Sequence, residues 1–497
     1  MQKVVHQIQD VVNYRKRYSR LLWISFFLRI IYINDKIYNM RNNIMKIIVF
    51  STILVIFITI FLCDFKNKQI SFIETEAPTP IVKDISINDD NILTVKVDSE
   101  DSSNSNIYYL YKNDNDLPLK YDSNWKKVEN NEFSFKMDKN KYYAFLKNED
   151  DKIFNVSDLN KFSRVTTVSV SKEKIYLAIK GKYSLSVRYD YIGDLEYIDD
   201  KVEWYSENDK IATVDSNGNV KGIKKGNTTI YAKVGDVKKG VEVIVTNLIT
   251  VRPKKYNNKK PYLSCGKHSK ADNDLLDEIL KDRINDVGYK TRAATVEAAR
   301  FLALEFPYKI RYFSENGRGS INGVDGEGRY YHVGLYLDES RYKGIKKRSA
   351  GPKTWGCSLY SRPSHGYRPN GLDCSGFVSW VMLQGGFDVG DIGAGLASHK
   401  DLTDYGKRIK FNANVVKSGK VKVGDLLSSG GVNGGHIAII VGEDDNYYYV
   451  AESLWTPPNV AVVIIPYSKK NLFKRYYYVM LMDDYYKKDG KLTKMWY

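Results

Sequence analysis

The spacing of apolar residues changes along the chain and divides it into segments of different kinds. Ile47 to Leu62 is an unbroken, uncharged apolar run of 16 residues. With Met45 and Cys63 it comes close to the ~20 residues that span a bilayer as a helix. From residue 82 to 162 the apolar positions alternate, as in "ILTVKV", "IYYLYK", "EFSFKM" and "YYAFLK", with Asn/Asp-rich turns between them. A period of two predicts strands with one face buried, and short strands at this spacing predict a β-sandwich. Residues 166–245 alternate in the same way. "IATVD" and "TTIYAKV" are predicted strands, and "SNGN" after the first predicts a hairpin, because Asn-Gly tolerates positive φ. Trp204 is a candidate core aromatic.

From residue 262 to 497 the pattern changes again. "NDLLDEILKDRINDVG" and "TVEAARFLALEF" carry apolar residues at i, i+3 and i+4, which predicts two helices. A third is predicted from Ser375 to Gln384, opened by Cys374 and stopped by Gly385-Gly386. The strands "GHIAIIVG", "YYYVAES", "VAVVIIPY" and "YYYVMLM" follow, so this domain is expected to be α+β. The whole is therefore a multidomain chain: a transmembrane anchor at 45–63, a Pro/Thr-containing linker at 64–81, two all-β sandwiches and a C-terminal α+β domain. Met45-Lys46 has the form of a translation start, and residues 1–44 are given no function.

Charge refines the topology. Arg15, Lys16, Arg17, Arg20, Arg29, Arg41 and Lys46 crowd ahead of the apolar run. The positive-inside rule then keeps the N-terminus in the cytoplasm and places everything after Cys63 outside. "CDFKNK" after the run offers no small-residue cleavage site, so the anchor is expected to stay uncleaved. Net charge is +17. The basic residues are spread out rather than striped with aromatics, so nucleic acid is not an expected partner, whereas anionic wall polymers are.

Four cysteines, Cys63, Cys265, Cys357 and Cys374, are too few for a disulfide scaffold, although Cys265 and Cys357 are free to pair outside the cell. Cys374 sits in "NGLDCSGFVSWVML" at a predicted helix start. Unpaired backbone N–H groups and the positive end of the helix dipole there are expected to lower its thiol pKa. A cysteine nucleophile needs a base. Among His6, His268, His332, His365, His399 and His436, the last is the candidate: it opens "HIAIIVG", a strand held in the core. Glu452 on the next strand lies within reach to orient the imidazole. His332 and His365 fall in a Gly-, Tyr- and Arg-rich insertion, 318–369, and His399 in "LASHKDL"; none is assigned to the chemistry. No paired-His or Cys/His spacing suggests zinc, and no metal or cofactor is expected.

Two resemblances follow from these motifs. The Trp204 strand, "IATVDSNGNVKG" and "KKGNTTIYA" resemble the bacterial immunoglobulin-like group 2 domain, which implies a spacer or an adhesive module on a surface protein. "LDCSGFVSWVM", "VGDLL", "GGHIAIIVG" and "VAES" resemble the NlpC-type cysteine peptidases over roughly residues 294–479. That resemblance implies a papain-like fold with Cys374 as nucleophile, His436 as base and Glu452 as the orienting third residue. It implies peptidoglycan stem peptides as substrate, with Asp373 and Ser375 holding their free amino end and Tyr312 beside the nucleophile. The third position of that family is more often His, Asn or Gln than Glu. The expected function is cleavage of a D-glutamyl–diaminoacid bond through a thioester. The alternatives are a papain-like amidase or acyltransferase, and a non-catalytic wall-binding or adhesion protein.

Overall fold

The computed structural model describes residues 77–99, 106–257, 269–310, 312, 333–335, 358–362, 366–369, 372–389, 405–430, 435–455 and 461–497. The expected anchor at 45–63 lies outside them, as do Cys63, Cys265, Cys357 and the histidines other than His436. Most of the insertion also lies outside; within it, Ser358–Arg362 pairs antiparallel with Gly366–Pro369. Among the described residues no helix is long and apolar enough to cross a membrane.

The first module is a two-sheet sandwich. Strands Pro80–Ile87, Ile92–Ser99 and Glu132–Lys136 form one sheet, and Lys126–Lys127, Tyr108–Lys112, Tyr143–Lys147 and Ile153–Val156 the other. Alternate residues of both point inward. Leu93, Val95, Val97, Phe133 and Phe135 face Ala144 and Leu146, all buried, as the period-two pattern requires.

The second module is also a sandwich. Its four-stranded sheet runs Glu203–Ser206, Gly226–Val234, Val237–Thr246, Lys174–Ala178, the last pair parallel. The hairpin forms between Ala212–Val214 and Asn219–Gly222. Asp215 closes it by accepting backbone N–H bonds from Asn217 and Asn219. Only Gly218 takes positive φ, at 77°, and Asn217 does not. The hairpin was thus foreseeable, but its glycine alone carries the left-handed backbone. Trp204 is half-buried and packs against the apolar clusters on both of its sides, a wedge between them rather than a fully enclosed core residue.

The C-terminal domain is helices on an antiparallel sheet. The helices are α1 (Lys270–Val287), α2 (Arg292–Arg300) and α3 (Cys374–Gln384). Each has a side-chain cap at its N-terminus, from Ser269, Thr291 and Asp373, which satisfies backbone donors that the helix leaves open. The strands are β1 (Lys407–Lys410), β2 (Leu426–Ser428), β3 (Ile437–Glu443), β4 (Tyr447–Ser453), β5 (Val462–Ser468) and β6 (Tyr478–Leu481), in the order β1-β6-β2-β3-β4-β5. α2 and α3 pack on the centre of this sheet. Phe377, Val378, Trp380 and Val381 of α3 are wholly buried, as expected for a helix apolar all round. Gly385 ends α3 against α2, where a Cβ would meet the Thr295 hydroxyl at 2.4 Å.

Arg292, wholly buried at the start of α2, bonds Asp425 at 2.7 Å and Asp489 at 3.0 Å. Gly424, at φ 95°, has no room for a Cβ beside that arginine. The "VGDLL" motif is therefore a structural joint, because burying a guanidinium requires a carboxylate partner.

The second sandwich and the C-terminal domain share one core. Tyr176, Ala178, Ile244, Leu248 and Ile249 are buried in the same apolar cluster as α1, α2 and α3. Around it, Lys172 pairs with Asp282 at 2.8 Å and Lys174 with Glu278 at 2.9 Å. Arg283 bonds the Tyr176 carbonyl at 2.8 Å. Arg252 and Arg283 converge on buried Glu305. The Trp496 indole N–H donates to the Pro253 carbonyl at 2.8 Å.

Candidate active site

Asp373 and Cys374 begin α3. The Asp373 carboxylate accepts the Gly376 N–H at 2.7 Å and the Ser375 hydroxyl at 3.3 Å, so these side chains fix the turn that carries the thiol. Both are buried. Cys374 is 7% exposed. Burial, and then the Asp373 charge, push its thiol up to about 12, against the N–H groups of Ile437, Ser375 and Cys374 itself. This overturns the expectation of a lowered thiol pKa. The helix terminus does point its N–H groups at the sulfur, but desolvation of a thiolate in this apolar setting outweighs them. Burial thus favours the neutral form of the thiol.

The Ile437 N–H faces the same sulfur, so the start of β3 lies against the start of α3. His436, immediately before, is fixed by its backbone N–H to the Ser429 hydroxyl at 2.8 Å and by its carbonyl to the Ser429 N–H at 2.9 Å. Its Nε2 lies 2.6 Å from Glu452 Oε2. The Ile439–Ala451 pairing places Glu452 diagonal to His436 across β3 and β4, a separation within reach of a long side chain. With Nε2–H donated to the carboxylate, the lone pair of a neutral ring is on Nδ1.

Glu452 is wholly buried and accepts three further bonds. The Tyr467 hydroxyl donates at 2.6 Å, the Tyr476 hydroxyl at 2.7 Å and the Arg475 guanidinium at 3.2 Å. Burial pushes its pKa up. The bonds from His436 and Tyr467 and the Arg475 charge outweigh that and hold it below the ordinary carboxylate value. The phenols of Tyr467 and Tyr476 are pushed up, chiefly by burial and then by Glu452, so both stay protonated donors. Tyr476 also stacks on the His436 ring at 6.0 Å. Sequence reasoning missed Tyr467, Arg475 and Tyr476. They arrive from β5 and the turn before β6, and only their cluster of hydroxyls and charge hinted at a buried anion.

Tyr312 lies within electrostatic reach of Cys374 and Asp373, and burial raises its phenol pKa. Trp455, 66% exposed, meets its ring edge-on at 5.9 Å. Ser453, next to Glu452, donates to the Leu372 carbonyl at 2.7 Å and ties β4 to the turn before Asp373. The structure thus brings Cys374 beside Asp373, Ser375, Tyr312 and the Ile437 backbone, and joins His436, the residue before Ile437, to Glu452. Among the described residues no group of three or more His, Cys, Asp or Glu could hold a metal.

The second sandwich matches a known family across its whole length. Residues 164–245 are a bacterial Ig-like domain (group 2). Solved structures similar to this chain include domains 4 and 5 of the S-layer protein SbsC, at 24% identity. That match covers 21% of this chain and 65% of that one, with a TM-score of 0.16. An intimin mutant of EHEC O157:H7 is similar at 19% identity, over 23% of this chain and 67% of that one, with a TM-score of 0.15. The chain thus spans just under two thirds of the SbsC fragment. No curated protein matches the chain. The bacterial Ig-like domain is the module whose Tyr176, Ala178 and Ile244 enter the core of the C-terminal domain.

Proposed function

We propose that the C-terminal domain is a cysteine peptidase of the NlpC type, with a papain-like arrangement, that cleaves peptidoglycan stem peptides. The observation that carries this is the His436–Glu452 pair at 2.6 Å beside a cysteine at a helix N-terminus. A cysteine that served only as filler would need no neighbouring imidazole supported by a carboxylate that three further donors hold.

In the proposed reaction the Cys374 thiol proton passes to His436 Nδ1 as the sulfur attacks the scissile carbonyl carbon. Backbone N–H groups at the start of α3 and at Ile437 stabilise the developing charge. His436 gives the proton to the leaving amine, the C–N bond breaks and a thioester remains. Water, deprotonated by His436, then attacks the thioester, and the thiol regains its proton. Because burial raises the thiol pKa, the histidine is proposed to act as a general base at the moment of attack. Asp373 and Ser375 are proposed to meet the substrate's amino end, and Tyr312 to wall the cleft. The D-glutamyl–diaminoacid bond is the proposed target, at the cell surface, with residues 45–63 as a single-pass anchor and anionic wall polymers as a further partner.

The test is digestion of muropeptides with mass analysis of new N-terminal diaminoacid ends. Wild type is expected to generate them and Cys374→Ala is not. Release of whole stem peptides would instead indicate an amidase. Hydrolysis by Cys374→Ala at the wild-type rate would sink the mechanism. A second reading, a wall-binding or adhesion protein without hydrolysis, is favoured by the bacterial Ig-like domain; retained wall binding with no cleavage product would support it.

A further inference from the structure

Glu452 Oε2 serves two positively charged or chargeable groups at once. His436 Nε2 lies 2.6 Å from it and the Arg475 guanidinium 3.2 Å. The Arg475 side chain is 43% exposed and extends over the rings of Tyr467 and Tyr476, 5.4 and 5.6 Å from their centres. It enters from the turn before β6, outside the sheet pairing that holds His436 and Glu452. A buried carboxylate facing only the histidine would draw a proton onto the imidazole. One already neutralised by a guanidinium draws it less strongly.

We propose that Arg475 is a positioning residue that sets the protonation of the candidate base: by sharing Glu452 it keeps His436 neutral, with Nδ1 free to accept the thiol proton. This rests on the assignment of His436 as base. Among the described residues, the other groups facing this pair do not duplicate the effect. From β5 and the turn before β6, the Tyr467 and Tyr476 hydroxyls donate to Glu452 without carrying charge. From α3, burial favours the uncharged form of the Cys374 thiol. Tyr312, whose phenol burial pushes up, adds no charge. Among the described residues Arg475 is the arginine that pairs with Glu452. A neutral amide at third position would need no such counter-charge, whereas the glutamate found here does.

The experiment is histidine NMR on the full-length protein with ¹³C-labelled imidazoles, the His436 signal being assigned by its loss in His436→Gln. Arg475→Gln is expected to raise the His436 pKa by about one unit, a tenfold gain in proton affinity. Arg475→Lys, which keeps the charge, is expected to restore at least half of that shift. The acid limb of muropeptide cleavage should move upward by the same amount in Arg475→Gln, with kcat regained at higher pH and KM little changed. An unmoved or lowered His436 pKa in Arg475→Gln would overturn the proposal, as would a lysine variant that behaves like glutamine. The NMR shift is read without substrate. A protein that shows it but cleaves no muropeptide refutes the peptidase reading and leaves the role of Arg475 standing. Cleavage with no shift does the reverse.

Discussion

Glu305→Gln tests whether the bacterial Ig-like domain and the C-terminal domain fold as one unit. Glu305 follows α2 and is 5% exposed in its side chain. Its Oε1 accepts Arg283 Nε at 3.0 Å and Nη2 at 2.9 Å, and its Oε2 accepts Arg252 Nε at 3.0 Å and Nη2 at 2.8 Å. Arg283 continues to the Tyr176 carbonyl in the Ig-like domain. A glutamine keeps the shape but turns an NH₂ toward one guanidinium and removes the charge between two. Breaking a buried ion pair from one side costs about 3–5 kcal/mol. With an m-value near the top of the ~1–3 kcal/mol/M range, the urea midpoint falls by roughly 1–2 M.

Acid gives an independent check. Burial raises the Glu305 pKa, but Arg283 and Arg252 overcome this and hold it below its ordinary value. A depressed carboxylate stabilises the fold above its unfolded pKa and loses that contribution as pH falls through the folded one. The gap between wild type and variant should therefore be widest at neutral pH and close in strong acid. The assay is urea unfolding of the chain from residue 77 onward, by circular dichroism and tryptophan fluorescence, at several pH values. A loss under about 1 kcal/mol at pH 7, or a gap unchanged in strong acid, would refute the reasoning.

Two further outcomes follow from local geometry. Gly218→Ala puts a Cβ 2.6 Å from the Leu185 carbonyl oxygen and 2.9 Å from the Trp204 ring at φ 77°; it should destabilise the Ig-like domain by about 1–3 kcal/mol, read as a drop in its thermal midpoint. The Cys374 thiol, pushed up to about 12 by burial and Asp373, should react with iodoacetamide at pH 7.5 at least ~10-fold more slowly in the folded protein than in urea, by peptide-resolved mass spectrometry; faster labelling of the folded form would contradict a neutral resting thiol.

Where local pattern decides structure, the sequence was readable. Alternation revealed both sandwiches, "SNGN" revealed a hairpin, and the i, i+3, i+4 spacing revealed the helices, although α1 and α2 each begin three residues before the apolar pattern and Gly385-Gly386 marked only the end of α3. The juxtaposition of His436 and Glu452 was legible too, because two adjacent strands and a short turn leave little freedom in how their side chains meet. The thiol's proton affinity was not legible. It depends on how completely α3 is enclosed, and helix polarity alone points the other way. Arg475 and Tyr476 were hidden because they belong to an irregular turn, brought to Glu452 only by closure of the sheet. The joint between domains was hidden for a related reason. Leu248 and Ile249 look like the tail of one module, and Arg252 like a linker charge, until α1 and α2 are packed against them.

The parallel pairing of Lys174–Ala178 with Val237–Thr246 has a mechanical consequence. Tension between the preceding sandwich and the C-terminal domain would slide these strands along each other. The five registered pairs from Glu242–Lys174 to Thr246–Ala178 would then share the load and yield together, not open one by one. Forced rupture is governed by an unfolding rate, and a shear joint of this kind, backed by the Glu305 cluster, keeps that rate low along the line on which the domain would be pulled.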